Sequence, residues 1–466
     1  MPARSGEIIQ DARRAPLTLG RLIKSGGAGS VFLLKERPLE VAKLYHASVD
    51  TRVYERKLKA MLELSPDLPD VQEKGVRHVQ IAWPTGLLHD RSGRFIGFSM
   101  PVLDIAATSD LEHVLQERQA RAEGLPTALG AKAALAANLA VMLAALHRRQ
   151  HYVVDLKPLN VRFYRKSLFI AMLDCDGFSI KGKDERFPAG QVTTDYLAPE
   201  FQQRGVKAGQ EEAQDCFALA VMVFQLLNSG LHPYSGRPQD ASVPSDLPGR
   251  IAANLYPYGR GRASARVLPS PVSGHQAFPE ALRQMFDRAF SDQPGQRPSA
   301  EAWATLLQGY ARRSAGMLVK CGKDASHQHF SGMPCAACAR KTLLANSARA
   351  TKARPKRRTA KAQYQQRPRA TGTRTAQPLH GHAAPMQAAA PTAPPGLGAR
   401  LLMAVIGPLL LGWAMSWGMP AYRSYKAAVN PTWGDAMMLG MQGGMLLLAV
   451  LFFALFVPGL ILGKRP

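Results

Sequence analysis

The chain of 466 residues has an apolar fraction of 46%, which is enough to build one or two full hydrophobic cores and excludes a protein that is disordered throughout. Its formal net charge is +25, and the excess is uneven, because residues 341–400 hold twelve Lys and Arg and no acidic residue. This asymmetry predicts an anionic partner for that segment, either phospholipid or nucleic acid.

Cysteine usage and the N-terminus indicate the compartment. The five cysteines are an odd number, and three of them lie close together near residues 321–338, which argues against a disulfide framework and for a reducing compartment. The N-terminal tail, residues 1–16, lacks the apolar stretch of a signal peptide. We therefore expect the first domain to stay in the cytoplasm.

Residues 17–45 predict three β-strands with a glycine-rich turn between the first two. Gly26, Gly27 and Gly29 would let backbone amides approach a phosphate without a Cβ in the way, although a plain tight turn is the alternative. Lys43 lies inside the next apolar strand, VAKLY. A half-buried ammonium needs an anionic partner, unless the side chain extends to water.

Two helices and one strand are predicted between this hairpin and the next polar loop. Residues 52–64 have helical periodicity and carry Glu55 and Glu63, whereas residues 128–149 form a more uniformly apolar helix. Residues 95–102 predict a strand that runs into a hinge marked by proline.

The stretch 151–178 contains two apolar runs that each deliver polar residues to a loop. The first run is followed by Asp155, Lys157 and Asn160, and the second by Asp174 and Asp176. Such residues suit a site that holds nucleotide phosphates and a divalent metal. If neither Asp174 nor Asp176 binds metal, both simply form a turn beside glycine.

Within this stretch, VVDLKPLN resembles the catalytic loop of the protein kinases, and LDCDGF looks like a permuted form of their Asp-Phe-Gly motif. The glycine-rich turn followed by Lys43 is similar to the family's glycine-rich loop and third-strand lysine. The resemblance spans residues 17–310 and implies a domain over 17–316, with an N-lobe at about 17–100 and a C-lobe at about 104–316.

The resemblance implies a role for each of these residues. Asp155 would accept or orient the substrate hydroxyl proton, with Lys157 near the transferred phosphoryl group. Asn160 and Asp174 would bind magnesium, and Asp176 competes with Asp174 for that role. Lys43 would hold the ATP phosphates with Glu55 as its partner and Glu63 as the runner-up. Backbone groups of the hinge would meet adenine at Met100 and Val102.

Two departures from the family pattern bear on activity. Lys24 stands where the first glycine of the loop is expected, and Val153-Val154 replace the His-Arg before the catalytic Asp. Without that Arg, activation by phosphorylation of the following loop is not implied, despite Thr193 and Thr194.

Further features match the C-lobe of the family. Ala198-Pro199-Glu200 resembles the end of an activation segment, and Asp215 precedes a strongly apolar helix. The resemblance pairs Glu200 with Arg297, and such a pair would support the substrate shelf if it is buried but would contribute little at the surface.

Residues 317–340 form a predicted Cys/His module. Cys321, Cys335 and Cys338 together with His327 or His329 would make a closed tetrahedral zinc site, and free thiols on a flexible tail are the alternative. The stretch resembles the small Cys/His module of a bacterial group of kinase-like proteins, a resemblance that favours His327.

The C-terminal residues predict a membrane anchor. Residues 341–398 have the composition of a disordered basic linker. Uncharged apolar runs at about 401–422 and 436–463 each exceed the roughly 20 residues that span a bilayer. We expect a two-helix transmembrane hairpin in a bacterial inner membrane, with the linker on anionic lipid rather than on nucleic acid.

The sequence thus predicts an α+β, two-lobed protein-kinase-like fold followed by the Cys/His module, the linker and the hairpin. The implied function is a membrane-anchored kinase that uses ATP and Mg²⁺ to phosphorylate Ser or Thr of a protein, with Zn²⁺ in the module. The alternative is a pseudokinase scaffold that binds nucleotide or partners without phosphoryl transfer.

Overall fold

The computed structural model describes residues 3–353, apart from residues 69–70, 74–75 and 260–265. These residues form a mixed α+β fold, with a β-rich part at residues 8–101, a helix-rich part at residues 108–311 and a Cys/His segment after it. The predictions for residues 354–398 and for both apolar runs, 401–422 and 436–463, lie outside the described residues.

The β-rich part is a closed six-stranded barrel with one helix packed against it. In chain order its elements are β1 (Ile8–Asp11), β2 (Pro16–Ser25), β3 (Gly29–Leu34), β4 (Glu40–Tyr45), α1 (Thr51–Glu63), β5 (Gln72–Glu73), β6 (Val76–Arg77), β7 (Gly86–His89) and β8 (Phe95–Pro101). The barrel order is β1-β2-β3-β4-β8-β7, with β1 antiparallel to both β2 and β7.

The assignment of residues 1–16 to an N-terminal tail was wrong, because β1 closes the barrel. Ile9 is buried and lies opposite Leu17 of β2. A four-residue strand gives little local signal, and its stability comes from pairing with β2, the next strand in the chain, and with β7, which is distant in sequence.

Helix α1 begins at an N-cap, where the Asp50 side chain accepts the Arg52 N–H. Leu58 and Met61 are fully buried against the barrel, as the helical period of residues 52–64 predicts. Lys57 is also buried, which that period did not indicate.

The helix-rich part is built around two long buried helices, α4 (Leu129–Arg148) and α5 (Glu211–Leu227). Its elements are β9 (Thr108–Asp110), α2 (Leu111–Leu115), α3 (Glu117–Ala122), α4 (Leu129–Arg148), β10 (Val161–Tyr164), β11 (Ile170–Met172), β12 (Ile180–Lys181), β13 (Arg186–Phe187), α5 (Glu211–Leu227), β14 (Gly236–Pro238), α6 (Leu247–Ala252), β15 (Val267–Pro269), α7 (Glu280–Ala289) and α8 (Ala300–Ala311). Within the described ranges, α4 alone is long and apolar enough to cross a membrane, and most of it is buried in this core.

The Cys/His segment consists of β16 (Leu318–Lys320), β17 (Gln328–Phe330) and α9 (Ala336–Ala353). It packs on the helix-rich part, because the Phe330 ring lies 5.0 Å from that of Tyr310 and 5.8 Å from that of Phe278. Helix α9 continues to residue 353, so the disordered linker predicted from residue 341 was wrong for its first thirteen residues. These residues are rich in alanine, lysine and arginine, which favour a helix once it has begun.

Candidate active site

Asp215 in α5 holds the backbone of the polar loop between α4 and β10. Its Oδ2 accepts the Val153 N–H at 2.8 Å and its Oδ1 accepts the Val154 N–H at 2.7 Å, while His147 Nε2 lies 3.1 Å from Oδ2. Val154 has a φ of 62°, which is costly for a β-branched residue. The two hydrogen bonds to the fully buried Asp215 offset this strain and fix the position of Asp155.

Asp155 lies at the centre of a small hydrogen-bond network. Lys157 Nζ donates to its Oδ2 at 2.6 Å, and the Thr193 hydroxyl donates to its Oδ1 at 2.7 Å. Lys157 Nζ also donates to the Thr193 hydroxyl at 2.8 Å, which closes a triangle. Asn160 donates its Nδ2 to the Asp155 carbonyl oxygen at 3.1 Å, so its Oδ1 remains suited to a metal ion.

Lys43, in β4, contacts both of the predicted metal-binding aspartates. Its Nζ donates to Asp176 Oδ1 at 2.6 Å and to Asp174 Oδ1 at 3.3 Å. Burial opposes the charged form of Lys43, but the two carboxylates outweigh it and raise the pKa of this ammonium. Lys43 is therefore a stable cation between β4 and the turn that carries Asp174 and Asp176.

Asp174 and Asp176 have different surroundings. The Asp174 side chain is 60% exposed, and its backbone has a φ of 55°. The Asp176 side chain is only 4% exposed, and its Oδ2 accepts the Tyr45 hydroxyl at 3.0 Å. Leu173 donates its N–H to the Asn160 carbonyl oxygen at 3.0 Å, which holds the start of the Asp174 turn beside Asn160. Asp174 is thus open to solvent, whereas Asp176 is committed to internal partners.

The predicted pairing of Lys43 with Glu55 was wrong. Glu55 accepts Lys59 Nζ at 2.7 Å on the outer face of α1. Lys57 occupies the inner face instead and donates to the Pro188 carbonyl oxygen at 3.2 Å. Burial lowers the pKa of Lys57 to about 8, with Asp176 opposing this effect and Lys43 adding to it.

The glycine-rich turn has the predicted local structure, whereas the hinge departs from the prediction at Val102. The Gly26 N–H donates to the Gly29 carbonyl oxygen at 2.9 Å, which closes the turn between β2 and β3. A Cβ on Gly29 would lie 2.5 Å from the Leu44 carbonyl oxygen, so this position requires glycine; Gly27 is unobstructed. In the hinge, Met100 is half-buried, and the Val102 N–H donates to the Leu39 carbonyl oxygen at 2.9 Å. That N–H is therefore not free for an adenine ring.

A buried ion pair joins the segment after the Asp155 network to the helix-rich core. Arg297 donates from both terminal nitrogens to Glu200, at 2.5 and 2.8 Å, and its guanidinium lies 5.3 Å from the centre of the Phe217 ring. The Arg297 side chain is 2% exposed. Gln214 adds a second link, because it accepts the Ala198 N–H at 2.9 Å.

We expect Glu200→Met to lower the free energy of unfolding by about 3–5 kcal/mol, because it leaves the Arg297 guanidinium buried and unpaired. Chemical denaturation of the purified chain measures this change. The double variant Glu200→Met/Arg297→Met removes both charges and should lose clearly less. A double variant as unstable as the sum of the two single variants would show that the pair has no such coupling.

Four side chains of the Cys/His segment converge on one point. The ligand atoms of Cys321, His327, Cys335 and Cys338 all lie within 4.8 Å of one another. The Cys321 and Cys338 sulfurs are 3.6 Å apart, and His327 Nδ1 is 3.4 Å from Cys338 Sγ. Zinc–sulfur bonds of about 2.3 Å in a tetrahedron require sulfurs about 3.8 Å apart, so the spacing fits a zinc ion.

Groups outside the four ligands also favour zinc. Asp324 Oδ2 lies 3.5 Å from Nε2 of His327 and would orient the ring with Nδ1 toward the thiols. Backbone hydrogen bonds from Lys323 and Asp324 lower the pKa of the Cys321 thiol to about 7. His329 is not part of the cluster, since its Nδ1 lies 3.0 Å from the Phe330 carbonyl oxygen.

Comparison with known proteins finds relatives that match about two thirds of the chain. The chain is 29% identical over 317 residues to "Protein kinase YegI" of Escherichia coli strain K12, and 28% identical over 318 residues to the protein of that name in Escherichia coli O157:H7. The similarity supports a bacterial protein-kinase-like family. The matches cover 66% and 67% of this chain but only 46% and 47% of those proteins, and no family model matches. The chain therefore spans about half the length of the protein-kinase-like relatives it matches.

Sequence reasoning missed three residues of this site. Tyr45 lies two residues after Lys43, so strand periodicity alone places both side chains on one face of β4. Thr193 was considered only as an acceptor of phosphate, whereas it is hydrogen-bonded to Asp155. Lys57 gave no usable signal, because a lysine on an amphipathic helix is normally solvated.

Proposed function

We propose that the chain is a protein kinase with a two-lobed kinase-like domain, which transfers the γ-phosphoryl group of ATP to a Ser or Thr hydroxyl of a protein. The observation that carries this proposal is the convergence of Asn160, Asp174 and Lys43 beside Asp155. Leu173 hydrogen-bonds to Asn160, and Asp174 contacts Lys43. These are the group types that phosphoryl transfer requires, namely a carboxylate for the acceptor, two metal ligands and a phosphate-binding cation.

Each residue has a role that follows from its surroundings. Lys43 holds the α- and β-phosphates, and Asp176 positions it in place of the glutamate expected from α1. Asp155 accepts or orients the acceptor proton while the acceptor oxygen forms its bond to phosphorus and the bond to ADP breaks. Lys157 and Thr193 keep the Asp155 carboxylate in place. Gly26, Gly27 and Gly29 cover the phosphates.

Asn160 and Asp174 fit a magnesium ion. Both offer oxygen ligands, Asp174 is exposed, and the Asn160 amide donates to Asp155 so that its Oδ1 is available. Bound Mg²⁺ would neutralise charge on the phosphates during transfer. Asp176 is a poor ligand by comparison, because Lys43 and Tyr45 engage its two oxygens.

A pseudokinase scaffold is the second candidate function. It is favoured by Val153-Val154 in place of His-Arg, by Lys57 on the inner face of α1 and by the engaged Val102 N–H. Such a protein would bind nucleotide without transferring phosphate.

The deciding experiment incubates the purified full chain with labelled Mg-ATP and a general protein acceptor, beside Asp155→Asn. The kinase proposal expects label in the acceptor or in the chain itself, and a loss of about 100-fold or more in the variant. Equal labelling by the variant overturns it. ATP binding without transfer or hydrolysis in either protein supports the pseudokinase.

We also propose zinc at Cys321, His327, Cys335 and Cys338. The parent chain is expected to hold about one zinc ion, and His327→Ala is expected to lose it. The variant should also have a lower unfolding midpoint, because β17 and α9 pack on the helix-rich part. Metal analysis and thermal unfolding measure both effects. His329→Ala is the matched control and should keep its zinc. Loss of zinc in both variants, or in neither, would contradict this ligand set.

The proposed location is a bacterial inner membrane, with the kinase domain in the cytoplasm. The support is the apolar composition of residues 401–422 and 436–463 and the basic composition of residues 341–400. The basic residues favour anionic lipid, and they lack the interspersed aromatics typical of base stacking. Flotation with anionic vesicles, compared with DNA binding at the same salt concentration, tests this preference.

A further inference from the structure

A cleft of about 770 Å³ lies where the Cys/His segment meets the helix-rich part, outside the proposed active site. Its walls come from α3, the N-terminal end of α4, the C-terminal end of α5, β17 and α9. Gln328 joins two of these walls, because its Oε1 accepts the Gly130 N–H at 2.8 Å. The volume is typical of sites for small molecules.

Lys132 lies in the wall of this cleft without a partner for its charge. The residue is 6% exposed, and among residues 3–353, with the gaps given above, its ammonium forms no hydrogen bond or ion pair. Burial lowers the pKa of Lys132, and Arg340 and Arg121 lower it further against the opposing effect of Glu117. Glu117 favours this cation without forming an ion pair with it, and a buried cation with no direct partner is costly. A ligand that supplies negative charge would therefore be stabilising here.

The other charged residues of the cleft do not supply a direct negative partner for Lys132. Glu117 forms an ion pair with Arg121 at 2.5 Å and lies 4.0 Å from Arg340. Asp324 is 3.2 Å from Lys341 and also orients His327. Both acidic residues in the lining are therefore engaged. The exposed Arg118 adds another positive charge that has no ion pair within the described residues.

The N-terminus of α4 contributes to the same wall. Ala128 is its N-cap and has no side chain that could accept the free backbone N–H groups. Apart from the hydrogen bond to Gln328, this end is available to an anion and carries the partial positive charge of the helix dipole. Leu129 and Phe278 supply an apolar surface beside it.

From these observations we infer that the cleft binds a small phosphate-bearing molecule, with the phosphate between Lys132 and the N-terminus of α4. The remainder of the ligand would lie on the apolar surface. Because both the Cys/His segment and the helix-rich part form the walls, an occupied cleft would tie the two together. Neither the proposed kinase activity nor the zinc cluster requires such a site.

The test measures binding of inorganic phosphate and inorganic pyrophosphate to the detergent-purified full chain by calorimetry. Lys132→Met is expected to weaken binding by about tenfold or more, as when a hydrogen bond to a charged group is lost. Lys43→Met, which removes the cation of the active site, should retain this binding. Lys166→Met makes the same change at an exposed lysine outside the cleft and should also retain phosphate binding.

Thermal unfolding provides a second readout. Without phosphate, Lys132→Met should be at least as stable as the parent chain, because it removes a buried unpaired charge. With phosphate, the parent should gain stability, and Lys132→Met should gain clearly less. If Lys132→Met fails to fold, Arg118→Gln at the exposed edge should weaken binding instead. Absence of binding by the parent, unchanged binding by the variants of the cleft, or equal loss in Lys166→Met would overturn the inference.

Discussion

Asp174→Asn is expected to remove the magnesium dependence of ATP binding and to lower phosphoryl transfer by about 100-fold or more. The substitution replaces the exposed carboxylate beside Asn160 with a neutral amide of the same shape. Asp176 cannot replace it, because its side chain is 4% exposed and both of its oxygens are hydrogen-bonded. Lys43 keeps Asp176 as a partner, so the fold should be preserved.

Titrations of ATP with and without Mg²⁺ measure the magnesium dependence of ATP binding, and phosphate incorporation measures phosphoryl transfer. Asp184→Asn is the matched control, since Asp184 is exposed on the segment between β12 and β13. It should behave like the parent chain. A magnesium dependence that survives in Asp174→Asn would assign the metal to another residue and return Asp176 to consideration.

The sequence was most informative where chemistry and local pattern coincide. The strands of residues 17–45, the helix around Leu58 and Met61 and the helix of residues 128–149 were predicted to within a few residues, because their apolar spacing is regular. Asp155, Lys157 and Asn160 occur within six residues, so one loop brings them together without any long-range information.

The sequence was least informative where two distant segments decide the outcome. Strand β1 closes the barrel because the distant β7 pairs with its free edge, opposite its neighbour in the chain, β2. The partner of Lys43 depends on which face of α1 turns inward, and Glu55 and Lys57 lie on different faces of that helix. A pattern argument assigns charged residues to the solvent side, and it has no means to select a lysine for the inner side.

Asp176→Asn is expected to lower phosphoryl transfer by about 100-fold and to weaken ATP binding, whereas Glu55→Gln should change either by no more than a few fold. The buried Asp176 carboxylate lies 2.6 Å from Lys43 Nζ, and together with Asp174 it outweighs the effect of burial on the pKa of that lysine. Its loss leaves Lys43 with only the exposed Asp174. A less firmly held ammonium binds the phosphates less well. The amide that replaces the Asp176 carboxylate also accepts the hydrogen bond from Tyr45 less strongly.

Glu55→Gln tests whether Asp176 or Glu55 is the partner of Lys43, because it alters a carboxylate of α1 that contacts Lys59 and not Lys43. A loss of activity in Glu55→Gln as large as in Asp176→Asn would mean that α1 rotates or moves inward when nucleotide binds and brings Glu55 to Lys43. The double variant Lys43→Met/Asp176→Asn refines the comparison. If Asp176 acts by positioning Lys43, the double variant should be no less active than Lys43→Met alone, whereas independent roles would make the losses multiply.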